Sequence, residues 1–339
     1  MRLRLFHEIS SISWIVIAFS CLFSSLAFAE DELDGDPEKW PLDVLKADQR
    51  FDKLPSLEGL NKEMPQVSAS RIRQMASKKR FRFRSRVALV VDLREQETLI
   101  DRRGDEVRPI ASLTKLMTAM VLLDANQDMK EILTITREDK DRILYSKSLL
   151  KFGTQLFRYD MLNLALMSSE NRAANALARN YPGGKSAFVK AMNKKAKQLG
   201  LKHTHFKDPA GLDGGNVSTA WELVKLMQAA QKYELIRYFT TIPHEKVTDR
   251  KRKRYLQYVN TNRLVRGARW HIDLSKTGFT NDAGNCLIML ARINDRPLGI
   301  VLLDSWGKLS KYGDANRIRS WLLSAERKLV ERRYRNLQK

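Results

Sequence analysis

The sequence holds two cysteines in 339 residues, Cys21 and Cys286, so no disulfide framework is available. Beyond the N-terminal segment it has no second apolar run of membrane length. It has no Gly-x-Ser-x-Gly nucleophile elbow and no His-Glu-x-x-His, which sets aside the serine hydrolases built on that elbow and the zinc peptidases with that helix. Its five histidines are scattered. His203-x-His205 could form half a metal site, but no third ligand stands at a familiar spacing, and neither metal nor cofactor is expected. Acidic residues are scarce beside basic ones, 39 against 61, for a formal charge of +22. That excess implies an anionic partner, nucleic acid first.

The N-terminus redirects that inference. Arg2 and Arg4 precede 21 uncharged positions, Ile9 to Ala29, which end in the small-x-small site Ala27-Phe28-Ala29. Residues 1–29 read as an export signal; an uncleaved membrane anchor is the alternative. Cleavage is favoured because six serines dilute the apolar stretch. Cys21 lies in a poor lipobox. An exported, periplasmic chain meets peptidoglycan carboxylates and acidic head groups rather than nucleic acid, so basic segments would touch an anionic envelope surface.

Residues 30–70 form an acidic, proline-containing tail or linker: Glu30 to Leu60 carries ten acidic residues against four basic ones. Residues 71–339 form one domain with a basic C-terminal helix. Arg80 to Arg86 alternates Arg and Phe, which predicts an edge strand with Phe81 and Phe83 on its inner face. Val87 to Leu93 and Glu97 to Asp101 read as a hairpin. Helices are expected from Ser112, over Leu156 to Met167, over Asn171 to Arg179, over Ser186 to Leu199 and after the capping-box residue Thr219. Trp270 to Phe279, Cys286 to Arg292 and Leu298 to Asp304 form an antiparallel meander, and a helix from about Asp314 to Arg333 closes the chain. Strands at both ends with helices between predict one sheet assembled from both termini, an α+β fold. Cys286 belongs to a buried strand, which argues against a reactive thiol.

Three motifs carry chemistry. Ser-x-x-Lys occurs three times, at Ser112, Ser148 and Ser305. Only Ser112 opens a strongly apolar helix that would bury its lysine, Lys115, one turn away. Burial and a nearby second cation, Lys276, would lower the amine's pKa until it can accept a proton. Ser169-Glu170-Asn171 is the single Ser-x-Asn; its hydroxyl can relay a proton and its amide can hold a substrate backbone. Lys276-Thr277-Gly278 also occurs once, on a predicted strand, where hydroxyl and ammonium suit a carboxylate and the glycine leaves room for a peptide. The backbone N–H groups of Ser112 and Phe279 are candidates for an oxyanion hole.

These motifs, with Pro109 to Thr118, Leu166 to Ala174, Pro209 to Leu212, Val217 to Ala220, Asn260 to Val265 and Ser275 to Asn281, resemble the low-molecular-mass penicillin-binding proteins, serine D-alanyl-D-alanine peptidases. The chain looks most like their endopeptidase branch. The resemblance implies a five-stranded antiparallel sheet flanked by helices on both faces, with a helical lobe beside the site. It implies Ser112 as the acylated nucleophile, Lys115 as its base, Ser169 as proton shuttle, Asn171 as a substrate-positioning group, and Lys276 with Thr277 as the carboxylate-binding pair beside Gly278. Peptidoglycan stem peptides would be the substrate and β-lactam antibiotics covalent inhibitors. Glu170 departs from the glycine or aspartate common in relatives. Only 61 residues follow Gly278, which favours the shorter endopeptidase type over carboxypeptidases with a β-rich C-terminal domain. No Glu-x-x-Leu-Asn-like segment lies between Asn171 and Lys276, which disfavours a class A β-lactamase. Remaining alternatives are a D,D-carboxypeptidase that trims stem peptides and an inactive basic protein that binds peptidoglycan.

Overall fold

A computed structural model describes residues 67–77 and 81–337. The export segment, residues 30–66 of the tail and residues 78–80 lie outside the described residues. The chain runs through α1 (Ala69–Ser77), β1 (Ser85–Asp92), β2 (Glu97–Arg102) and β3 (Arg108–Pro109). A 3-10 turn, Ala111–Thr114, then leads into α2 (Lys115–Asp124). Next come β4 (Ile132–Thr134), β5 (Gln155–Phe157), α3 (Arg158–Met167), α4 (Asn171–Arg179) and α5 (Gly184–Gln198). β6 (Val217–Ser218), α6 (Ala220–Ala230), α7 (Glu234–Thr241), β7 (His244–Asp249) and β8 (Arg254–Val259) follow. The last elements are β9 (His271–Thr280), β10 (Gly284–Ile293), β11 (Arg296–Ser305) and α8 (Ser310–Leu337).

Five strands form one antiparallel sheet in the order β2-β1-β11-β10-β9, so both ends of the domain contribute, as the sequence predicts. The reason is visible in the residues. Val87 to Val91 and Cys286 to Ala291 are apolar without a break because both sheet faces are covered. Val87, Leu89 and Val91 point to the helical lobe, while Ala88 and Val90 point to α1 and α8. β10 and β11 divide in the same way, Ile288 and Val301 to one side, Met289 and Ile300 to the other. The β10–β11 turn places Asn294 and Asp295 at φ 52° and 58°, a left-handed pair that these two residue types tolerate.

Two helices of the lobe are apolar nearly all round. In α2 every residue from Lys115 to Leu122 is buried, and in α3 every residue from Met161 to Met167. Such helices are clamped by packing on all sides. The 3-10 turn bearing Ser112 enters α2, and Ser169 follows the end of α3, so both serines hang on rigid supports.

Four expectations shift. The alternating segment is not a strand before Ser85: Arg84 already leaves the ladder, its carbonyl accepting the Trp306 N–H at 3.0 Å where β11 has ended. Phe81 and Phe83 still face inward, stacked at 5.1 Å, with Phe81 edge-on to Trp321. The helix expected from Ser112 begins as α-helix only at Lys115. The helix expected from Leu156 begins at Arg158, because Gln155–Phe157 pairs with Ile132–Thr134. Finally, α1, α7 and the β7–β8 hairpin were not anticipated; the hairpin is too charged to show an apolar alternation.

Arg296 ties three separate pieces. Its guanidinium bonds the carboxylates of Asp92, Glu95 (3.3 Å) and Glu326 (2.9 Å), and the carbonyl of Val67. Glu95 in turn accepts the Ala69 N–H at 2.9 Å, at the start of α1. Removing the cation would strand buried carboxylates. Arg296→Ala is expected to lower stability by about 3–5 kcal/mol in chemical denaturation, with α1 detached.

Candidate active site

Ser112 sits on a turn that the surrounding chain forces into place. Ala111, just before it, has φ 48°, a costly conformation for a residue with a side chain. The loop 208–213 presses on it from outside. A Cβ on Gly211 (φ 77°) would lie 1.9 Å from the Ala111 carbonyl oxygen, so only glycine fits. That loop is wound around the Asp208 carboxylate, which accepts the N–H groups of Ala210, Gly211, Leu212 and Asp213 at 2.7, 2.8, 3.0 and 2.8 Å. The Asn216 amide donates to Thr114 Oγ1 at 3.0 Å and to the Asp208 carbonyl at 2.8 Å, and Thr118 Oγ1 donates to the Pro209 carbonyl at 2.6 Å. The loop is thereby bolted to α2 and aims the Ala210 carbonyl inward.

Lys115 is fully buried and its Nζ has three neighbours: Ser112 Oγ at 2.8 Å, Asn171 Oδ1 at 2.7 Å and the Ala210 carbonyl at 2.7 Å. All three are acceptors for its N–H groups, and the Ser112 hydroxyl donates in turn to the Ala210 carbonyl at 3.4 Å. Of the three, only the Ser112 hydroxyl carries a proton that the amine could take once it has lost its own. Burial brings the Lys115 ammonium down to about 7, against the opposing pull of Asp208, Glu170 and Asp141. The repulsion expected between the two lysines appears on the other partner: Lys276 is held well below its usual value by burial first, then by the charges of Lys115 and Lys311.

Lys276 Nζ donates to Ser169 Oγ at 2.9 Å and to the Thr277 carbonyl at 3.0 Å. Ser169 itself has φ 62°, a second strained residue at the site. The Thr277 hydroxyl donates to Thr261 Oγ1 at 2.7 Å. Both ends of the Asn171 amide are engaged, Oδ1 by Lys115 and Nδ2 by Ser146 Oγ at 2.8 Å. Glu170 does not face water: it is buried, accepts the Arg172 N–H at the start of α4, and has its carboxyl pushed up by burial. At Gly278, β9 nearly touches the nucleophile turn. A Cβ there would lie 3.0 Å from Ala111 Cβ and 3.1 Å from both the Ile110 carbonyl and the Ser112 nitrogen. Phe279, next along, is exposed at the strand edge.

The structure therefore gathers Ser112, Lys115 and Asn171 into one bonded group and Lys276, Ser169 and Thr277 into a second, with Gly278 joining them. The competing motifs separate: Lys151 and Lys308 are exposed, and Ser305 is hydrogen-bonded to Ser85 at 2.7 Å. Cys286 is buried with its thiol pushed up to about 11 by burial. Among the described residues no group of three His, Cys, Asp or Glu side chains could hold a metal. Sequence reading assigned no role to Asp208, Ala210, Gly211, Ser146 or Thr261. Ala210 contributes only a carbonyl, which no side chain advertises; the Asp208-Pro209-Ala210-Gly211 turn signature was the available clue.

A serine paired with a buried lysine, and a second lysine–serine pair opposite, define a serine hydrolase with an amine base. The chain belongs to the D-alanyl-D-alanine carboxypeptidase family, whose model matches residues 73–306. It is 48% identical over 235 residues to a D-alanyl-D-alanine endopeptidase of Pseudomonas aeruginosa, covering 69% of this chain and 76% of that one. A D-alanyl-D-alanine endopeptidase of Escherichia coli is 46% identical over the same shares. Among solved structures, penicillin-binding protein D2 of Listeria monocytogenes in its cefotaxime-bound form is similar with TM-score 0.63 and 29% identity, over 72% of this chain and 99% of that one. The Streptomyces K15 DD-transpeptidase is similar with TM-score 0.66 and 25% identity, over 73% and 99%.

The close approach at Gly278 yields a test. Gly278→Val would displace the turn bearing Ser112 while the sheet survives. The expected result is an acylation rate by a β-lactam lower by about a hundredfold, with circular dichroism unchanged.

Proposed function

We propose that this protein is an exported serine D,D-peptidase that opens D-alanyl cross-links in peptidoglycan through an acyl-enzyme on Ser112. The observation that carries the reading is the fully buried Lys115 amine, its Nζ 2.8 Å from Ser112 Oγ. The amine takes the hydroxyl proton as Ser112 attacks the D-alanyl carbonyl, and the Ser112 and Phe279 N–H groups receive the oxyanion. Lys276 donates to Ser169 Oγ, which leaves the Ser169 hydroxyl free to give its proton to the departing amine and to be reprotonated by the proton that Lys115 took from Ser112. Asn171 keeps Lys115 aligned. Lys276 is engaged with Ser169, so the Thr277 hydroxyl, shared with Thr261, is the better placed of the pair to meet a substrate carboxylate. Water then releases the acyl group.

The endopeptidase preference is supported by the two relatives above 45% identity, both named endopeptidases; a Bacillus subtilis carboxypeptidase of the family is 33% identical. Solved structures of the Listeria relative carry cefotaxime and ampicillin, which supports β-lactams as covalent inhibitors here. The N-terminal signal supports export, and the positive charge supports contact with anionic envelope surfaces.

Two experiments test the reading. Fluorescent penicillin is expected to label the protein covalently, and Ser112→Ala is expected to abolish labelling; labelling that persists rejects the nucleophile. Digestion of purified muropeptides, read by mass, is expected to convert cross-linked dimers to monomers. Release of terminal D-alanine with dimers untouched would make the enzyme a carboxypeptidase.

A further inference from the structure

Away from the catalytic cleft lies a groove of about 1040 Å³ between α5 and the segment 200–205. Its apolar lining includes Val107, Val189 and Leu201. Its rim carries Lys190, Lys194 and Lys197, one stripe along α5, with Lys202 on the facing segment, and all four are exposed. His203 and His205 complete the polar lining, and no acidic side chain lines it. Among the described residues none of the four lysines has an ion-pair partner, whereas Lys195, one position away from the stripe, pairs with Asp124 at 2.6 Å. Like charges three and four residues apart oppose helix formation; of the stripe only Lys197 stands in the last turn of α5, where a cation complements the helix dipole.

The groove is connected to the chemistry by a short ribbon. Val107 leads into β3, which pairs with β6, and Val217 of β6 bridges back to His205. Val107 precedes Ser112 by five residues, so their Cα atoms are no more than about 18 Å apart. His205 stands just as many residues before Ala210, whose carbonyl touches Lys115.

We infer that this groove is a second binding site for an acidic peptide with small apolar side chains, the chemistry of a peptidoglycan stem. Carboxylates would meet the lysine rim and alanyl methyl groups the apolar lining. The inference rests on the peptidase reading. It adds that the enzyme holds a stem peptide outside the cleft while the cross-link lies at Ser112, so that cross-linked or multi-stem material is preferred over a single short peptide. The distance to Ser112 is within reach of a stem of four or five residues, each about 3.3 Å long when extended.

The test uses the full chain with Ser112 already acylated by penicillin, so that the cleft is filled, and purified cross-linked muropeptide dimers as the probe. The blocked protein is expected to bind the dimers, more weakly as salt rises. The Lys190→Glu/Lys194→Glu/Lys197→Glu variant is expected to bind about tenfold more weakly and to lose most of that salt dependence, with its penicillin acylation rate unchanged. A control with Lys225→Glu, Lys232→Glu and Lys246→Glu, exposed lysines outside the groove, is expected to bind as the parent does. The inference is overturned if the groove variant binds like the parent, or if the control loses as much. It is also overturned if the blocked parent ignores the dimers and binds only vesicles rich in anionic phospholipid. Should penicillin fail to acylate Ser112, the peptidase reading falls instead, and Ser112→Ala protein in the same assay still reads the groove.

Discussion

The structure depends on one buried amine. A lysine ammonium in water holds its proton at neutral pH and is no base; Lys115, enclosed on every side, is brought to about 7. Its three neighbours fix the amine in place, and one of them, the Ser112 hydroxyl at 2.8 Å, carries the proton that the deprotonated amine can take. The other site features either create that enclosure or hold those three neighbours still. Three carboxylates, Asp208, Glu170 and Asp141, pull the pKa the other way. All three have structural work: Asp208 winds the loop that delivers Ala210, Glu170 caps α4 through the Arg172 N–H, and Asp141 accepts the N–H groups of Ile143, Leu144 and Ser146. The site balances a base against the scaffold that positions it.

The fold supplies that enclosure from distant parts of the chain. Two helices buried nearly all round carry Ser112 and Ser169 at their ends, and the edge strand β9 brings Lys276 across from the far end of the sequence. Strain gathers where these pieces meet: Ala111 and Ser169, both left-handed and neither glycine, stand beside the reacting groups. Gly211 and Gly278 are the two positions where a methyl group would force the pieces apart.

Much of this was legible in the sequence, and the reasons are particular. The sheet was readable because strands covered on both faces, such as Val87 to Val91, cannot hide their apolar runs. The site was readable because its chemistry lies in side chains at short fixed spacings, Ser112 with Lys115 and Lys276 with Thr277. What stayed hidden lies in backbone and in long-range pairing. The Ala210 carbonyl has no residue type that betrays it. Arg296 reads as one more surface arginine until Asp92, Glu95 and Glu326 are seen to converge on it. The alternation within Arg80 to Arg86 sorted Phe81 and Phe83 correctly, yet its described part becomes strand only at Ser85, because the pairing of β1 with β11 begins at Ser85 opposite Ser305. Lys276 is expected from its motif to meet a substrate carboxylate; its further bond to Ser169 joins residues 107 positions apart, which no motif reveals.

The most direct measurement is the pH dependence of Ser112 acylation by a β-lactam. Below its pKa Lys115 is an ammonium and cannot accept the serine proton, so the rate should fall about tenfold per pH unit on the acid side and level off on the alkaline side. The midpoint should lie near 7, where burial places the amine. A rate still climbing toward the pKa of an ordinary lysine, or one flat across neutrality with Lys115→Met equally active, would contradict the assignment of this amine as the base.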